Sequence, residues 1–230
     1  MTQVQAPPTP GAWAAGRMLT GGAVVLLLAN VAFPRAGDPW DLPAVLTTMV
    51  DSQVLRQASF VALTVGLWVV TAGLIGVEGC LRDAAVWERL ARHLAVVGVT
   101  LFTAASALGL AATGAAVEWS AAGAEPMSPE YVVAAALNRA DDFVWHLSIM
   151  AFWTALGLYG LAMLRSGVVP RWLGAWALIV GPVTALLIGL PLALGAEVGA
   201  LVVAFGVLGG ITTLWALLLG IWTIRAARSR

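Results

Sequence analysis

The chain has 230 residues, of which 60% are hydrophobic and only 10% are charged, and its formal net charge is zero. Soluble domains carry about a quarter charged residues, so this composition excludes an ordinary soluble domain and indicates a protein whose solvent is lipid. The balanced charge argues against nucleic-acid binding, which needs a basic surface. The single cysteine, Cys80, excludes an intramolecular disulfide and any multi-cysteine metal or redox centre.

The N-terminal segment 1–16 is polar and rich in proline, and we expect it to be a disordered cytoplasmic tail. Arg17 then precedes an apolar run over residues 18–33, as in a signal peptide. No small-x-small cleavage site precedes Pro34, and further apolar runs follow along the chain. The run is therefore interpreted as an uncleaved first membrane span.

Charged residues divide the rest of the chain into apolar runs of bilayer length, since a crossing takes about 20 helical residues. The runs show no strict alternation of apolar and polar residues, which disfavours a β-barrel and leaves the helix as the structure that satisfies every backbone group in lipid. We predict an all-α, polytopic transmembrane helical bundle over residues 17–226, followed by a basic cytoplasmic tail at 227–230. The predicted spans are 18–33, 58–78, 93–115, 143–164, 172–191 and 198–224.

The arginines predict the orientation of this bundle, because arginine near a span end resists translocation. With the N-terminus in the cytoplasm, nine arginines lie on the inner side, and only Arg35, Arg56 and Arg139 lie on the outer side. The inner set is Arg17, Arg82, Arg89, Arg92, Arg165, Arg171, Arg225, Arg228 and Arg230. The expected location is a bacterial cytoplasmic (inner) membrane, with both termini in the cytoplasm.

Two outer segments are predicted to be helical. In residues 41–51 the apolar side chains follow helical spacing, and Asp41 can cap the first turn, so we expect a short amphipathic helix lying on the membrane surface or docked on the bundle. The second begins at Ser128, a suitable N-cap, with Pro129 at the first helical position. This second helix is expected to run into the fourth span.

Small residues indicate where helices can approach closely in lipid. Gly195-x-x-x-Gly199 and Gly206-x-x-x-Gly210 at the last span are candidates for contact with a second copy or another membrane protein. A third small-residue pair, Ala105-x-x-x-Gly109, lies in the third span. In the fifth span, Pro182 and Pro191 predict a kink.

The stretch LNRADDFVWHLSIMAFWTALGLYGLAMLRSGVVPRWLGAWALIVG, residues 137–181, is similar to the bacterial domain-of-unknown-function 4386 family. The most specific match is the turn over residues 165–176, RSGVVPRWLGAW. Arg139 with Asp141 or Asp142, and the amphipathic segment 41–51, also fit the family pattern. The resemblance implies a polytopic membrane protein and assigns no activity.

Arg139, Asp142 and His146 form the candidate site, because spacings of three and four place them along one helix face. The carboxylate could hold the imidazole as a proton relay or sensor at the outer face. The alternative is a polar helix end at headgroup level. His93 and His146 are the only histidines and are predicted at opposite membrane faces, so they cannot share a haem, and we predict no cofactor and no metal site.

Two further sets have structural interpretations. Glu78 and Arg82, at the inner end of the second span, have the spacing of a helical ion pair, with a gate or ion ligand as the functional alternative. Arg171, Trp172 and Trp176 have the composition of an anchor at the membrane interface.

Three classes of function stay open, because recognisable catalytic motifs are missing and no predicted span carries a charge near its centre. The first, favoured by those absences, is a structural, partner-binding or envelope-sensing protein. The second is a small-molecule or lipid transporter, which needs a cavity between helices. The third is an enzyme at the outer face, which needs a pocket around Asp142 and His146 lined by Trp119 and Trp145.

Overall fold

The computed structural model describes residues 11–78, 81, 85–196 and 199–228. It is 88% helical, and the described part contains no strand, which confirms the all-α prediction. Seven helices are present in that part: α1 (Gly11–Ala32), α2 (Leu42–Asp51), α3 (Gln53–Glu78), α4 (Ala85–Ala121), α5 (Pro129–Ser166), α6 (Arg171–Ala193) and α7 (Gly199–Arg228).

All of these helices except α2 are long and apolar enough to cross a membrane, which confirms the six predicted spans. The first boundary was wrong, because α1 begins at Gly11 and residues 11–16 are helical where a disordered tail was expected. Residues 1–10 lie outside the described part. The last helix likewise continues to Arg228, into the predicted tail.

The α4–α5 hairpin extends well beyond the predicted spans. These helices have 37 and 38 residues, or roughly 55 Å each at about 1.5 Å per residue, against a hydrocarbon core of about 30 Å. One end of the bundle is called the α2 end below, because α2 lies there. At this end α1 ends, α3 begins and the α4–α5 hairpin turns.

The α2 helix is docked on the bundle rather than lying apart from it. The Asp41 carboxylate accepts a hydrogen bond from the Ala44 N–H at 3.2 Å, which caps the first turn as predicted. Leu46 and Met49 are fully buried in a cluster with Trp119 and with alanines of α4 and α5. The apolar face read from the sequence therefore covers the hairpin.

The start of α5 forms as expected. The Ser128 hydroxyl accepts a hydrogen bond from the Tyr131 N–H at 3.2 Å, and Pro129 occupies the first turn. The helix then continues without a break to Ser166 and ends at Gly167, whose positive φ of 63° suits glycine.

Helix α6 is irregular where the prolines predict it. After Pro182 the helix passes through a π-helical turn, Ala185–Gly189, before its last turn, Leu190–Ala193. Proline lacks the N–H needed for the regular helical hydrogen bond, so it loosens the ladder at this position.

The six long helices form two layers, α1–α3–α7 and α4–α5–α6. Within each layer the helices approach at glycine: Gly16 of α1 lies against the Gly220 carbonyl of α7, and Gly160 of α5 lies against the Gly174 carbonyl of α6. The layers meet chiefly along α3 and α4, whereas few backbone contacts join α5 to α7. Space consequently remains between the layers.

The predicted small-residue motifs have different outcomes. Gly109 packs against Phe60 and Asp141, so the motif in α4 lies at a helix contact. A Cβ atom on Gly195, Gly199, Gly206 or Gly210 would have no heavy atom within 4 Å. Those four glycines make no close helix contact within the described residues, and their contact with a partner stays a prediction.

The Gly160 contact predicts a strong sensitivity to one methyl group. In Gly160→Ala the new Cβ would lie 2.6 Å from the Gly174 carbonyl oxygen, so the helices must separate, and we expect a loss of about 1–3 kcal/mol of unfolding free energy. Gly114→Ala in α4 is the matched control, because its Cβ would have no neighbour within 4 Å; we expect no loss and a gain of up to about 1 kcal/mol. Thermal unfolding in detergent measures both, and equal melting temperatures would contradict the packing described.

Candidate functional site

A cavity of about 360 Å³ lies between the two layers, with walls from α1, α3, α4, α5 and α7. Ligand pockets commonly have volumes of about 300–1,000 Å³, so this cavity is large enough for a small molecule. Its lining is charged at the α2 end and chiefly apolar below it, where Ser106, Ser148, Thr212 and Thr213 are the polar residues. The lining therefore has the polarity of an amphipathic molecule.

Four charged side chains line the mouth of the cavity. Arg35 follows α1, Arg56 lies in the first turn of α3, and Asp141 and Asp142 lie in α5. Arg56 is only 8% exposed and Asp141 only 7%. Charged groups this deeply buried need compensating partners, so their contacts decide what the mouth can do.

Arg56 is held between two aromatic rings. Its guanidinium lies 5.0 Å from the ring centroid of Phe33 and 5.2 Å from that of Phe60, and the two rings pack edge to face. Such cation–π contacts offset part of the cost of removing a cation from water. The Arg56 Nε is buried and donates no hydrogen bond within the described residues.

The two aspartates differ in their partners. The Asn138 side-chain amide donates a hydrogen bond to the Asp142 carboxylate at 3.2 Å. The Asp141 carboxylate lies over Gly109, with one oxygen 2.9 Å from where a Cβ of that glycine would be. Arg56 interacts electrostatically with both carboxylates, but in the described part of the chain it forms an ion pair within 4 Å with neither. The mouth thus holds opposite charges that face the same space without touching.

Arg35 is already occupied by its own loop. It donates to the Asn30 backbone carbonyl at 2.9 Å, to the Asn30 side-chain oxygen at 2.5 Å and to the Phe33 carbonyl at 3.3 Å. These bonds fix the chain where α1 ends and engage three of the five Arg35 N–H donors. The Arg56 guanidinium donates to no group in the described part of the chain.

Aromatic side chains form part of the apolar lining of the cavity. Trp145 of α5 meets Phe205 of α7 edge to face at 4.9 Å, and Trp153 meets the same ring at 6.1 Å. The lining continues along α5 from Asp142 to Leu156, a distance of about 21 Å at about 1.5 Å per residue. That depth exceeds half of an approximately 30 Å hydrocarbon core.

The structure only partly assembles the Arg139, Asp142 and His146 site predicted from the sequence. Asp142 lines the cavity, and its carboxylate interacts electrostatically with Arg139. The expected Asp142–His146 hydrogen bond does not form within the described residues; His146 instead lies 5.2 Å from the Trp145 ring centroid, and neither it nor Arg139 lines the cavity. The hydrogen bond that the Asp142 carboxylate accepts comes from Asn138, one turn earlier in α5.

Sequence reasoning missed Arg56 and Asp141 as site residues. Arg56 was used as a topology marker, although an arginine one helical turn before Phe60 was a usable signal for a cation–π contact. Asp141 entered only through the family resemblance. Of the proposed outer pocket, Trp145 lines the cavity, whereas Trp119 is buried under α2 and donates to the Glu125 carbonyl at 3.0 Å.

At the opposite end of the bundle, Glu78 has partners that the sequence did not suggest. The Tyr159 hydroxyl donates to its carboxylate at 2.7 Å, and the Arg92 guanidinium lies 3.6 Å away. Arg82, the predicted partner, lies outside the described residues. Glu78 therefore joins α3 to α4 and α5.

The predicted interface anchor divides between two environments. Arg171 is exposed, and Trp172 is 57% exposed at the start of α6, as expected of an anchor. Trp176 instead stacks on Trp215 of α7, with ring centroids 5.8 Å apart and an interplanar angle of 16°. The Trp215 indole N–H donates to the Leu173 carbonyl at 3.0 Å, so Trp176 belongs to the contact between α6 and α7.

Within the described residues, no three His, Cys, Asp or Glu side chains converge as metal ligands do. Comparison of the chain with protein-family models, with curated proteins and with solved structures found no match. The similarity to the domain-of-unknown-function 4386 family thus stays a prediction.

The Glu78 cluster yields a test based on the two tyrosines of the chain. Tyr159→Phe removes the hydroxyl that donates to Glu78, so we expect a loss of about 1–3 kcal/mol of unfolding free energy. Tyr131→Phe is the matched control, because the Tyr131 hydroxyl forms no hydrogen bond in the described part of the chain. Chemical unfolding in detergent compares them, and equal losses would show that the Tyr159–Glu78 bond contributes nothing.

Proposed function

We propose that this protein binds an amphipathic small molecule or lipid in the cavity between its layers and acts as a carrier or transporter for it. The observation that carries the proposal is the polarity of the lining, which has buried charges at one end and about 21 Å of chiefly apolar wall below them. Binding sites for amphipathic ligands have a mostly apolar surface with a few placed polar groups.

The other two classes of function have less support. A purely structural or partner-binding bundle needs no ligand-sized space between its layers, yet a cavity of about 360 Å³ is present. An enzyme based on Asp142 and His146 needs both groups at one pocket, and His146 does not line the cavity. Contact with a second copy or another membrane protein through Gly195, Gly199, Gly206 and Gly210 is a separate prediction, on which the carrier proposal does not depend; Gly206 itself lines the cavity.

The gap between α5 and α7 supports access from the bilayer. Few backbone contacts join these helices, and the aromatic side chains of Trp145, Trp153 and Phe205 contact one another between them. Rotation of aromatic side chains is faster than separation of packed helices. A lipid-soluble ligand could therefore enter here without disturbing the glycine contacts of either layer.

The location belongs to the same proposal: a bacterial cytoplasmic membrane, with both termini in the cytoplasm and the α2 end facing outward. Seven of the described arginines lie toward the opposite end, namely Arg17, Arg89, Arg92, Arg165, Arg171, Arg225 and Arg228. A basic excess marks the cytoplasmic side. In this orientation the charged mouth opens at the outer face.

Filling the cavity tests ligand binding. Gly209 of α7 lines the cavity and a Cβ there would have no neighbour within 4 Å, so Gly209→Leu places a side chain in free space. Gly210→Leu is the matched control, since Gly210 is equally unobstructed but does not line the cavity. We expect native mass spectrometry to show co-purifying amphiphile in the wild type and in Gly210→Leu, and about tenfold less in Gly209→Leu. Equal occupancy in the two variants would rule out the cavity as the binding site.

Reporter fusions test the orientation. A periplasmically active phosphatase inserted after Ala124, in the α4–α5 turn, should be active, and the same enzyme inserted after Gly167, in the α5–α6 turn, should be inactive. The physical reason is that the arginine excess retains the second turn in the cytoplasm. The reverse pattern of activity would overturn the assigned orientation.

A further inference from the structure

The four charged side chains at the cavity mouth differ in the number of hydrogen bonds that they form. Arg35 has three hydrogen bonds to its own loop, and Asp142 has one from Asn138. Within the described residues, the Arg56 guanidinium donates no hydrogen bond and the Asp141 carboxylate accepts none. One cation and one anion, each more than nine-tenths buried, therefore face the cavity with open hydrogen-bonding positions.

The two groups are held apart rather than left free to pair. The Arg56 guanidinium lies over the Phe33 and Phe60 rings, and the Asp141 carboxylate rests over Gly109. A Cβ on Gly109 would collide with both the Phe60 ring and the Asp141 carboxylate, so this one glycine makes room for both. Cation–π contact uses the guanidinium face and leaves the in-plane N–H donors open.

We propose that Arg56 and Asp141 recognise a zwitterionic phospholipid headgroup, with the phosphate at Arg56, a primary ammonium at Asp141 and one acyl chain in the apolar part of the cavity. This inference rests on the proposed function and specifies its ligand. Arginine binds phosphate through parallel N–H donors, and a carboxylate accepts hydrogen bonds from an ammonium group. A single ligand then satisfies both buried charges.

Singly charged ligands fit this mouth less well. A purely anionic headgroup would approach the Asp141 and Asp142 carboxylates, and a purely cationic one would approach Arg35 and Arg56. Like-charge contact disfavours the wrong ligand as effectively as good contacts favour the right one. A ligand without any charged group would leave both buried charges without a partner, which is costly.

The test uses delipidated full-length protein titrated with lysophosphatidylethanolamine and lysophosphatidylglycerol of the same chain length, with binding followed by native mass spectrometry. We expect the wild type to prefer the ethanolamine lipid by about tenfold. Asp141→Asn should weaken that lipid about tenfold and abolish the preference, since a charge-assisted hydrogen bond is lost. Asp51→Asn, an exposed carboxylate on α2, is the matched control and should leave the preference unchanged.

Arg56→Gln should weaken both lipids about tenfold, because both carry the phosphate. If that variant does not fold, Asp141→Asn alone decides the matter. Equal affinities of the wild type for the two lipids, or an unchanged preference in Asp141→Asn, would overturn headgroup recognition. In that event, loss of binding of both lipids in Gly209→Leu but not in Gly210→Leu would still support the cavity as a binding site. Equal lipid binding by those two variants would refute the proposed function itself.

Discussion

Close approach of helix backbones at glycine is the contact on which the remainder of the structure depends. Lipid gives apolar helices no hydrophobic reason to associate, so association relies on van der Waals contact between small residues. Gly16 with Gly220, and Gly160 with Gly174, supply that contact within the two layers. Between α5 and α7 the facing residues Trp145 and Phe205 are large and aromatic. The two layers stand apart there and leave a cavity between them.

The two ends of the bundle use similar chemical groups with different consequences. Glu78 is bonded by Tyr159 and lies close to Arg92, so its charge stabilises the contact between helices. Arg56 and Asp141 are equally buried but lack such bonds within the described residues. A buried ionic group is costly unless paired. The pairing of Glu78 therefore supports its structural interpretation, and the lack of such bonds at Arg56 and Asp141 supports the proposed ligand site.

Local sequence signals were good guides to local structure. Asp41 and Ser128 cap the helices that they were expected to cap, because a cap involves only residues three positions apart. Tertiary partners were predicted less well. The composition of Arg171, Trp172 and Trp176 predicts an interface anchor, yet a contact with α7, distant in sequence, decides that Trp176 stacks on Trp215.

The sequence by itself determined the number of spans and their helical nature, since a bilayer requires about 20 apolar residues per crossing and internal satisfaction of every backbone group. It could not determine which polar side chains share a site. Arg56 and Asp141 lie on different helices, and their placement follows from the room that Gly109 leaves and from the docking of one layer on the other. Periodicity describes one helix at a time, whereas a cavity is a property of several helices packed together.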